Sequence, residues 1–368
     1  SAVLARYDGD FHHLKTPLID APAAQRDPAV IETVTSMLAD IRERGLDAVL
    51  DYARTLDNYQ GADIELTAEQ IASSGDRLDP DLRAAIELGA ERTQAFARAS
   101  REHLTDFETE FVPGIVTGAK YIPVSRVGAY LPAGRFPLTA SAFMTVGVAK
   151  AAGVPTVIAC TPPQPDGGAN DAVVYAAHLS RVDRVFVIGG VQALAAMAYG
   201  LLGDLPVDML VGAGNAFVAE AKRQLFGTVA IDLLAGPSEV AVISDETADP
   251  VLVAADLLGQ AEHGPNSPAA LITTSEEHGH AVIAEIERQL ETLATVDIAG
   301  AAWRDYGVVT VAKDRETAAA LMDDLAPEHL ELLTDDDDWY HENLRNYGSI
   351  FIGPWSTCLL YTSPSPRD

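Results

Sequence analysis

Cysteine is nearly absent from this sequence. Only Cys160 and Cys358 occur in 368 residues, too few for the framework of bridges that staples a small secreted fold. Positive charge is scarce as well. There are 25 lysines and arginines, five of them lysine, against 54 acidic residues, a net charge of −29. Such a surface repels phosphate backbones and anionic bilayers, which argues against nucleic acid and membrane as partners. An acid-rich, lysine-poor surface would also suit a saline interior. Long apolar runs are missing. The most apolar window, Ser141 to Cys160, is interrupted by Lys150, Gly153 and Pro155. It reads as helix, turn and buried strand rather than as a membrane span. No signal peptide is visible at the start, so the expected location is cytoplasmic. The G-x-G-x-x-G fingerprint of dinucleotide binding is absent too, and no acidic residue holds its ribose-binding position.

What is present falls into a helical front and two alternating series. Asp27-Pro28 caps a helix with Val30, Ile31, Val34, Leu38 and Ile41 on one side, ended by Gly45. A short helix over Leu46 to Leu56 follows, then a capping box at Thr67 and Gln70, then a long helix from Asp79-Pro80 to about Glu102. From Val127 the texture changes. Strand-like runs at Val127 to Leu131, Thr156 to Cys160, Arg184 to Ile188 and Met209 to Val211 alternate with helical stretches. A second series has strands at Val240 to Ile243, Ala269 to Thr273 and Val308 to Val311. Short apolar strands separated by helices predict parallel sheets with crossover helices, hence an α/β fold. The boundary between the two units is expected near Ala235-Gly236. The divisions are then 1–118, a helical segment packed with the outer domain; 119–235, an inner domain; and 236–357, the outer domain.

Three groups of residues carry possible chemistry. Two turns follow strands and precede helices: Gly189-Gly190, with Gln192 just beyond, and Gly212-Ala213-Gly214-Asn215. Glycines let a backbone approach a pyrophosphate, and a helix N-terminus favours its charge, but glycine turns are common at strand ends. A helix beginning at Asp249-Pro250 is predicted to run to about Glu262, stopped by Gly264-Pro265. Its last turn would hold Gln260 and His263 on one face. Imidazole and a side-chain carbonyl suit zinc or a related metal, although zinc needs further ligands and a helix C-terminus favours histidine anyway. In Ala326-Pro327-Glu328-His329-Leu330, Glu328 and His329 could polarise a water and move its proton, provided they sit in a turn rather than on one helix. The run Asp335 to Asp338 reads as a solvated face. His12, His13, His178, His278, His280 and His341 lack a partner pattern.

Taken together these motifs resemble the histidinol dehydrogenase family. They are Tyr130-Leu-Pro-Ala-Gly-Arg, Cys160-Thr-Pro-Pro, Val187-Ile-Gly-Gly-Val-Gln192, Gly212-Ala-Gly-Asn-Ala-Phe-Val, Ala235-Gly-Pro-Ser-Glu-Val, Gly259-Gln-Ala-Glu-His-Gly-Pro and Ala326-Pro-Glu-His-Leu. They keep the family's order across about Asp27 to Trp355. The resemblance implies two incomplete Rossmann-like α/β domains behind a helical N-terminal segment. It also implies a zinc-dependent, NAD-linked homodimer that takes an alcohol through an aldehyde to the acid. By position, Tyr130, Gln192 and Asn215 would contact NAD, and Gln260 and His263 would ligate zinc. Ser238, Gln260, His263 and His329 would lie against substrate. Glu328 would activate water, with His329 moving protons.

Departures from the family pattern bear on the substrate. Pro132-Ala133-Gly134 stands where Pro-Gly-Gly is usual, and Gly212-Ala213-Gly214-Asn215 where Gly-Pro-Gly-Asn is usual. Phe136 to Met144 and Gly214 to Gly227 look closer to the sulfopropanediol 3-dehydrogenase branch, whose anionic substrate would need a cation such as Arg135. L-histidinol, or a non-catalytic nucleotide-binding role, remain the alternatives. Cys358 to Asp368, CLLYTSPSPRD, resembles a translated sequencing adapter. The native sequence is therefore expected to end near Thr357, before the family's remaining aspartate, glutamate and histidine site residues. The chain by itself is then expected to be inactive.

Overall fold

Helices in this molecule begin where a side chain is placed to receive their first free amides. Asp27 accepts from the Ala29 amide at 2.8 Å, Thr67 and Gln70 form a reciprocal capping box, and Asp249 accepts from Val251 at 2.9 Å. The computed structural model describes residues 9–19, 27–61, 63–133, 137–165, 167–203, 205–234 and 238–356. Arg135 and the tail from 358 lie outside them.

Strand β1 (Phe11–Lys15) comes first, then helices α1 (Pro28–Arg44), α2 (Leu46–Leu56), α3 (Ala68–Ala72) and α4 (Pro80–Glu102). A hairpin of β2 (Phe107–Val112) and β3 (Ile115–Ala119) precedes β4 (Arg126–Tyr130). Next come α5 (Ala140–Ala142), a π-helical turn over Phe143–Gly147, and α6 (Val148–Ala151). The first series continues with β5 (Thr156–Thr161), α7 (Asp171–Leu179), β6 (Arg184–Val187), α8 (Gly190–Tyr199), β7 (Met209–Val211), α9 (Ala216–Leu225) and β8 (Ala230–Ile231). The second runs β9 (Val240–Ser244), α10 (Pro250–Ala261), β10 (Ala269–Thr273), α11 (Glu276–Leu290), α12 (Val296–Tyr306), β11 (Val308–Ala312), α13 (Arg315–Leu325), β12 (His329–Leu333), α14 (Asp337–Asn343) and β13 (Ser349–Ile352).

The chain forms two units, one of Arg26–Ala235 and one in which the front of the chain joins Gly236 onward. In the first, five parallel strands run in the order β6-β5-β4-β7-β8. One face is covered by α1, α2, α8 and α9 through Val34, Ile41, Val49, Leu194 and Val218. Ile86 of α4 packs with Phe143, Val146 and Val173 on the other. The helical front therefore belongs to the first sheet. This corrects the expectation that residues 1–118 pack as one segment with the later unit. Apolar stripes on α1 and α4 need a covering partner, and the sheet that follows them supplies it.

The second unit has a six-stranded sheet in the order β1-β11-β10-β9-β12-β13. Its five later strands are parallel, and β1 pairs antiparallel with β11, Phe11 opposite Ala312. Alternation divides the sheet's side chains. Val242, Leu271 and Val309 meet Leu257 and Ile286 on one face, and Ile243, Leu330 and Leu332 meet Met322 and Tyr340 on the other. The run Asp335 to Asp338 is not a featureless solvated face: Asp336 caps α14 and Asp337 accepts from the Thr334 amide. Among the described residues no helix is long and apolar enough to cross a membrane.

Candidate active-site residues

In the first unit the strand order reverses at β4, with β5 and β6 on one side and β7 and β8 on the other. Ligands of open α/β sheets lie at the carboxyl ends of strands beside such a reversal. Tyr130 ends β4 there, and Gly212 follows β7. A Cβ on Gly212 would fall 2.3 Å from the Tyr130 carbonyl oxygen, and its φ is +115°, so only glycine lets the two strand ends meet. The Gly212 amide donates to Asp232 at 2.7 Å, and the buried Lys222 ammonium donates to the Gly212 carbonyl at 2.8 Å. Asn215 is exposed and caps α9, accepting from Phe217 at 3.0 Å and Val218 at 3.2 Å.

The other glycine turn behaves differently. The Gly189 amide donates to Asp57 Oδ2 at 2.9 Å, and the Gly190 amide to the Tyr130 hydroxyl at 3.2 Å. Gln192 is buried, and its Nε2 donates to the same Asp57 oxygen at 2.9 Å. The turn is therefore not open to a pyrophosphate, contrary to one reading of its sequence. A carboxylate already occupies the N-terminus of α8. Burial raises the Asp57 pKa, opposed by these two hydrogen bonds. Burial likewise pushes the Tyr130 phenol up to about 12, so it stays neutral. Gln192 Oε1 is buried without a hydrogen-bond partner, an acceptor still able to take a donor from a bound molecule. Asp57 carried no local signal in the sequence, because its partners lie 132 and 135 positions away.

In the second unit the candidate residues gather at the opposite edge of the sheet, where parallel strands begin. Ser238 and Glu239 lead into β9, Glu328 and His329 open β12, and Val240, His329 and Ser349 are neighbours in register. The Ser238 hydroxyl donates to Glu328 Oε2 at 3.0 Å. The Glu328 amide donates to Glu239 Oε1 at 3.3 Å, and the Ser349 amide to the Glu328 carbonyl at 2.9 Å. A Cβ on Gly348 would lie 2.6 Å from that carbonyl oxygen. Ala326 adopts left-handed φ 51°, ψ 58°, ending α13 and turning the chain into Pro327. A non-glycine residue held there is strained, and here the strain lies directly before the candidate base.

His329 Nδ1 is 3.0 Å from the Glu239 carbonyl oxygen. A carbonyl can only accept, so Nδ1 carries the proton and neutral Nε2 holds the lone pair. Glu328 Oε2 is 3.8 Å from Nδ1, too far for a hydrogen bond. The two residues stand together yet are oriented separately, and do not form the direct proton-passing pair their adjacency suggested. Glu239 and Gly348 escaped the sequence reading. Glu239 adjoins Ser238 within a quoted motif, so its signal was there. Burial raises the Glu239 pKa.

Helix α10 ends at Ala261, so His263 lies beyond it rather than in its last turn. A 3-10-type bond from the His263 amide to the Gln260 carbonyl, 3.1 Å, still holds the pair one turn apart. Gln260 is buried with Nε2 unpartnered, while His263 is exposed. Among the described residues no group of three or more His, Cys, Asp or Glu could hold a metal ion. The donors present therefore do not complete a zinc site. His278, which lacked a sequence pattern, is a packing residue, its Nε2 2.9 Å from the buried Ser244 hydroxyl.

Comparison with known proteins places the chain. The model of the histidinol dehydrogenase family matches residues 21–361. A histidinol dehydrogenase homologue of Shouchella clausii is 47% identical over 88% of this chain and 76% of its own length. A sulfopropanediol 3-dehydrogenase of Ruegeria pomeroyi is 46% identical over 89% of this chain and 76% of its own. The crystal structure of histidinol dehydrogenase from Elizabethkingia anophelis superposes with a TM-score of 0.87 at 31% identity, over 95% of this chain and 81% of that one. With the two relatives one percentage point apart, the sulfopropanediol branch is not singled out as the nearer.

Proposed function

Since this chain belongs to the histidinol dehydrogenase family, we propose that it oxidises a small amino alcohol of the histidinol type through the aldehyde to the carboxylic acid. The chain is an NAD-linked dehydrogenase; the substrate, the residue roles and the assembly are the proposal. One observation carries the substrate class. The edge holding Ser238, Glu328 and His329 receives the C-termini of α10 and α13 and the carboxylates of Glu239 and Glu328. Helix C-termini and carboxylates favour a cation and oppose a sulfonate.

NAD, when bound, accepts the hydride at each oxidation. Gln192, with its unpartnered Oε1, fits a cofactor site together with Tyr130 and the exposed Asn215, which caps the N-terminus of α9. Ser238 orients the Glu328 carboxylate. Glu328 takes a proton from the water that attacks the aldehyde, and His329 Nε2 takes or returns protons on the substrate side. Gln260 and His263 are proposed to face the substrate and to be two of the donors for a zinc ion. No step is assigned to that ion, because its other donors are not among the described residues. The protein is proposed to act as a cytoplasmic homodimer.

A second reading has two supports. The Ruegeria pomeroyi relative is named for sulfopropanediol, and Phe136 to Met144 departs in that direction. The test is NAD reduction by a full-length homologue, followed at 340 nm with histidinol and 2,3-dihydroxypropane-1-sulfonate offered separately. Turnover of histidinol is expected. Turnover of the sulfonate alone would reverse the choice of substrate.

A further inference from the structure

Within the first unit, the turn after β7 is held by a buried ion pair that the proposed chemistry does not use. Lys222 lies on α9 and is 2% exposed. Asp232 follows β8, and its amide donates to the Leu210 carbonyl of β7 at 3.1 Å. Lys222 Nζ donates to Asp232 Oδ1. Both side chains also hold one residue of the turn. Lys222 Nζ donates to the Gly212 carbonyl at 2.8 Å, and the Gly212 amide donates to Asp232 Oδ2 at 2.7 Å. The Leu233 amide adds a bond to Asp232 Oδ1 at 2.6 Å. The amide and the carbonyl of Gly212 are thus both closed into one ring with the ion pair, which joins the end of β7, helix α9 and the segment after β8.

A buried lysine destabilises a fold unless it is paired. Apolar side chains of the same size would join these elements as well or better, but they would leave the Gly212 amide and carbonyl without these partners. What the ion pair alone can do is fix a glycine at φ +115°, a conformation that glycine shares with many others in a free chain. Gly212 opens the turn that leads to Asn215 and α9. Lys222 stands about two helical turns after Asn215, so its side chain reaches back along its own helix to the turn that precedes it. We propose that Lys222 and Asp232 are positioning residues that set the Gly212–Asn215 turn in its binding shape before the cofactor arrives, so that NAD does not have to order it. The link to NAD rests on the reading of Asn215 as a cofactor contact; the fixed turn does not.

Hydrogen exchange on the full wild-type chain tests the fixed turn without any variant. The Gly212 amide should exchange about a hundredfold or more below its intrinsic rate in the absence of NAD, and adding NAD should change it little. Exchange at the rate of an open loop until NAD is added overturns the preset turn. Isothermal titration with NAD tests the positioning. Lys222→Met keeps the length of the side chain and loses its charge and donors. It should raise the NAD dissociation constant about tenfold or more. Asp232→Asn, which keeps an acceptor for the Gly212 amide, should raise it less. Coupling to Asn215 separates positioning from general loss of stability. Asn215→Ala should weaken NAD binding in the wild type and add little in Lys222→Met, where the turn that presents Asn215 is already loose. Losses that multiply, or an unchanged NAD affinity in a folded Lys222→Met, overturn the positioning role. If Lys222→Met does not fold, Asp232→Asn carries the same cycle with the same two outcomes. A wild type that does not bind NAD removes the cofactor role of the turn and leaves exchange to decide its rigidity. Failure to oxidise any alcohol while NAD still binds would count against the proposed function and leave both measurements standing.

Discussion

The two units are built on the same principle, parallel strands with crossover helices, but their candidate residues sit at opposite edges. In the first unit they lie where strands end and helices begin, so the local backbone presents amide donors and the positive ends of α8 and α9. In the second they lie where helices end and strands begin, and the candidate groups are ionisable side chains: Glu239, Glu328 and His329. One edge favours an anion, and the other favours a cation. A repeated architecture thus offers two electrostatic environments, set only by which end of the strands is used. Even within the first edge the two helices differ, since a carboxylate, Asp57, sits at the start of α8 whereas a neutral side chain, Asn215, caps α9.

The sharpest way to break this comparison is at the ionisable edge. Glu328→Gln keeps an acceptor for Ser238 but loses basicity. It should slow aldehyde oxidation by about a hundredfold or more while slowing alcohol oxidation several times less, because only the aldehyde step needs an activated water. Supplying the aldehyde directly isolates that step, and equal losses in both half-reactions would remove Glu328 from its role. At the other edge the effect is smaller. Asp57→Ala frees the Gly189 amide and the Gln192 side chain together. A buried donor left unmade costs about 1–3 kcal/mol, so the KM for NAD should rise about tenfold while the KM for alcohol holds. An unchanged NAD KM would show that Asp57 merely fills space. Ser238→Ala should be mildest: loss of its 3.0 Å bond to Glu328 is worth about 1 kcal/mol, or roughly fivefold in aldehyde kcat/KM. No loss would mean that the Glu239 and Ser349 contacts orient Glu328 without it.

Legibility followed where each signal resided. Met209–Val211 and Ala269–Thr273 were plain, being short apolar runs between turn residues. β12 was hidden because the acid Glu331 interrupts its apolar pattern, and β1 because Phe-His-His-Leu-Lys is a polar edge strand. The proximity of Gln260 and His263 followed from spacing even though the helix stops short. The separate anchoring of Glu328 and His329 did not, since it depends on Glu239 some 90 positions earlier. The same reason hid Asp57: a hydrogen bond closed by tertiary packing leaves no periodicity in the chain.

The outer strand of the second sheet also orders how this protein is made. Every strand of the first sheet lies within the continuous stretch Arg26–Ala235, so a ribosome releases all of them before any strand of the second sheet except β1. That strand is synthesised before the first unit, yet its partner β11 begins about three hundred residues later. During synthesis β1 must remain unpaired while a whole neighbouring unit folds, and its docking closes one of the longest loops in the chain. The polar His-His-Leu-Lys character that concealed it as a strand keeps that waiting segment from sticking to other nascent chains.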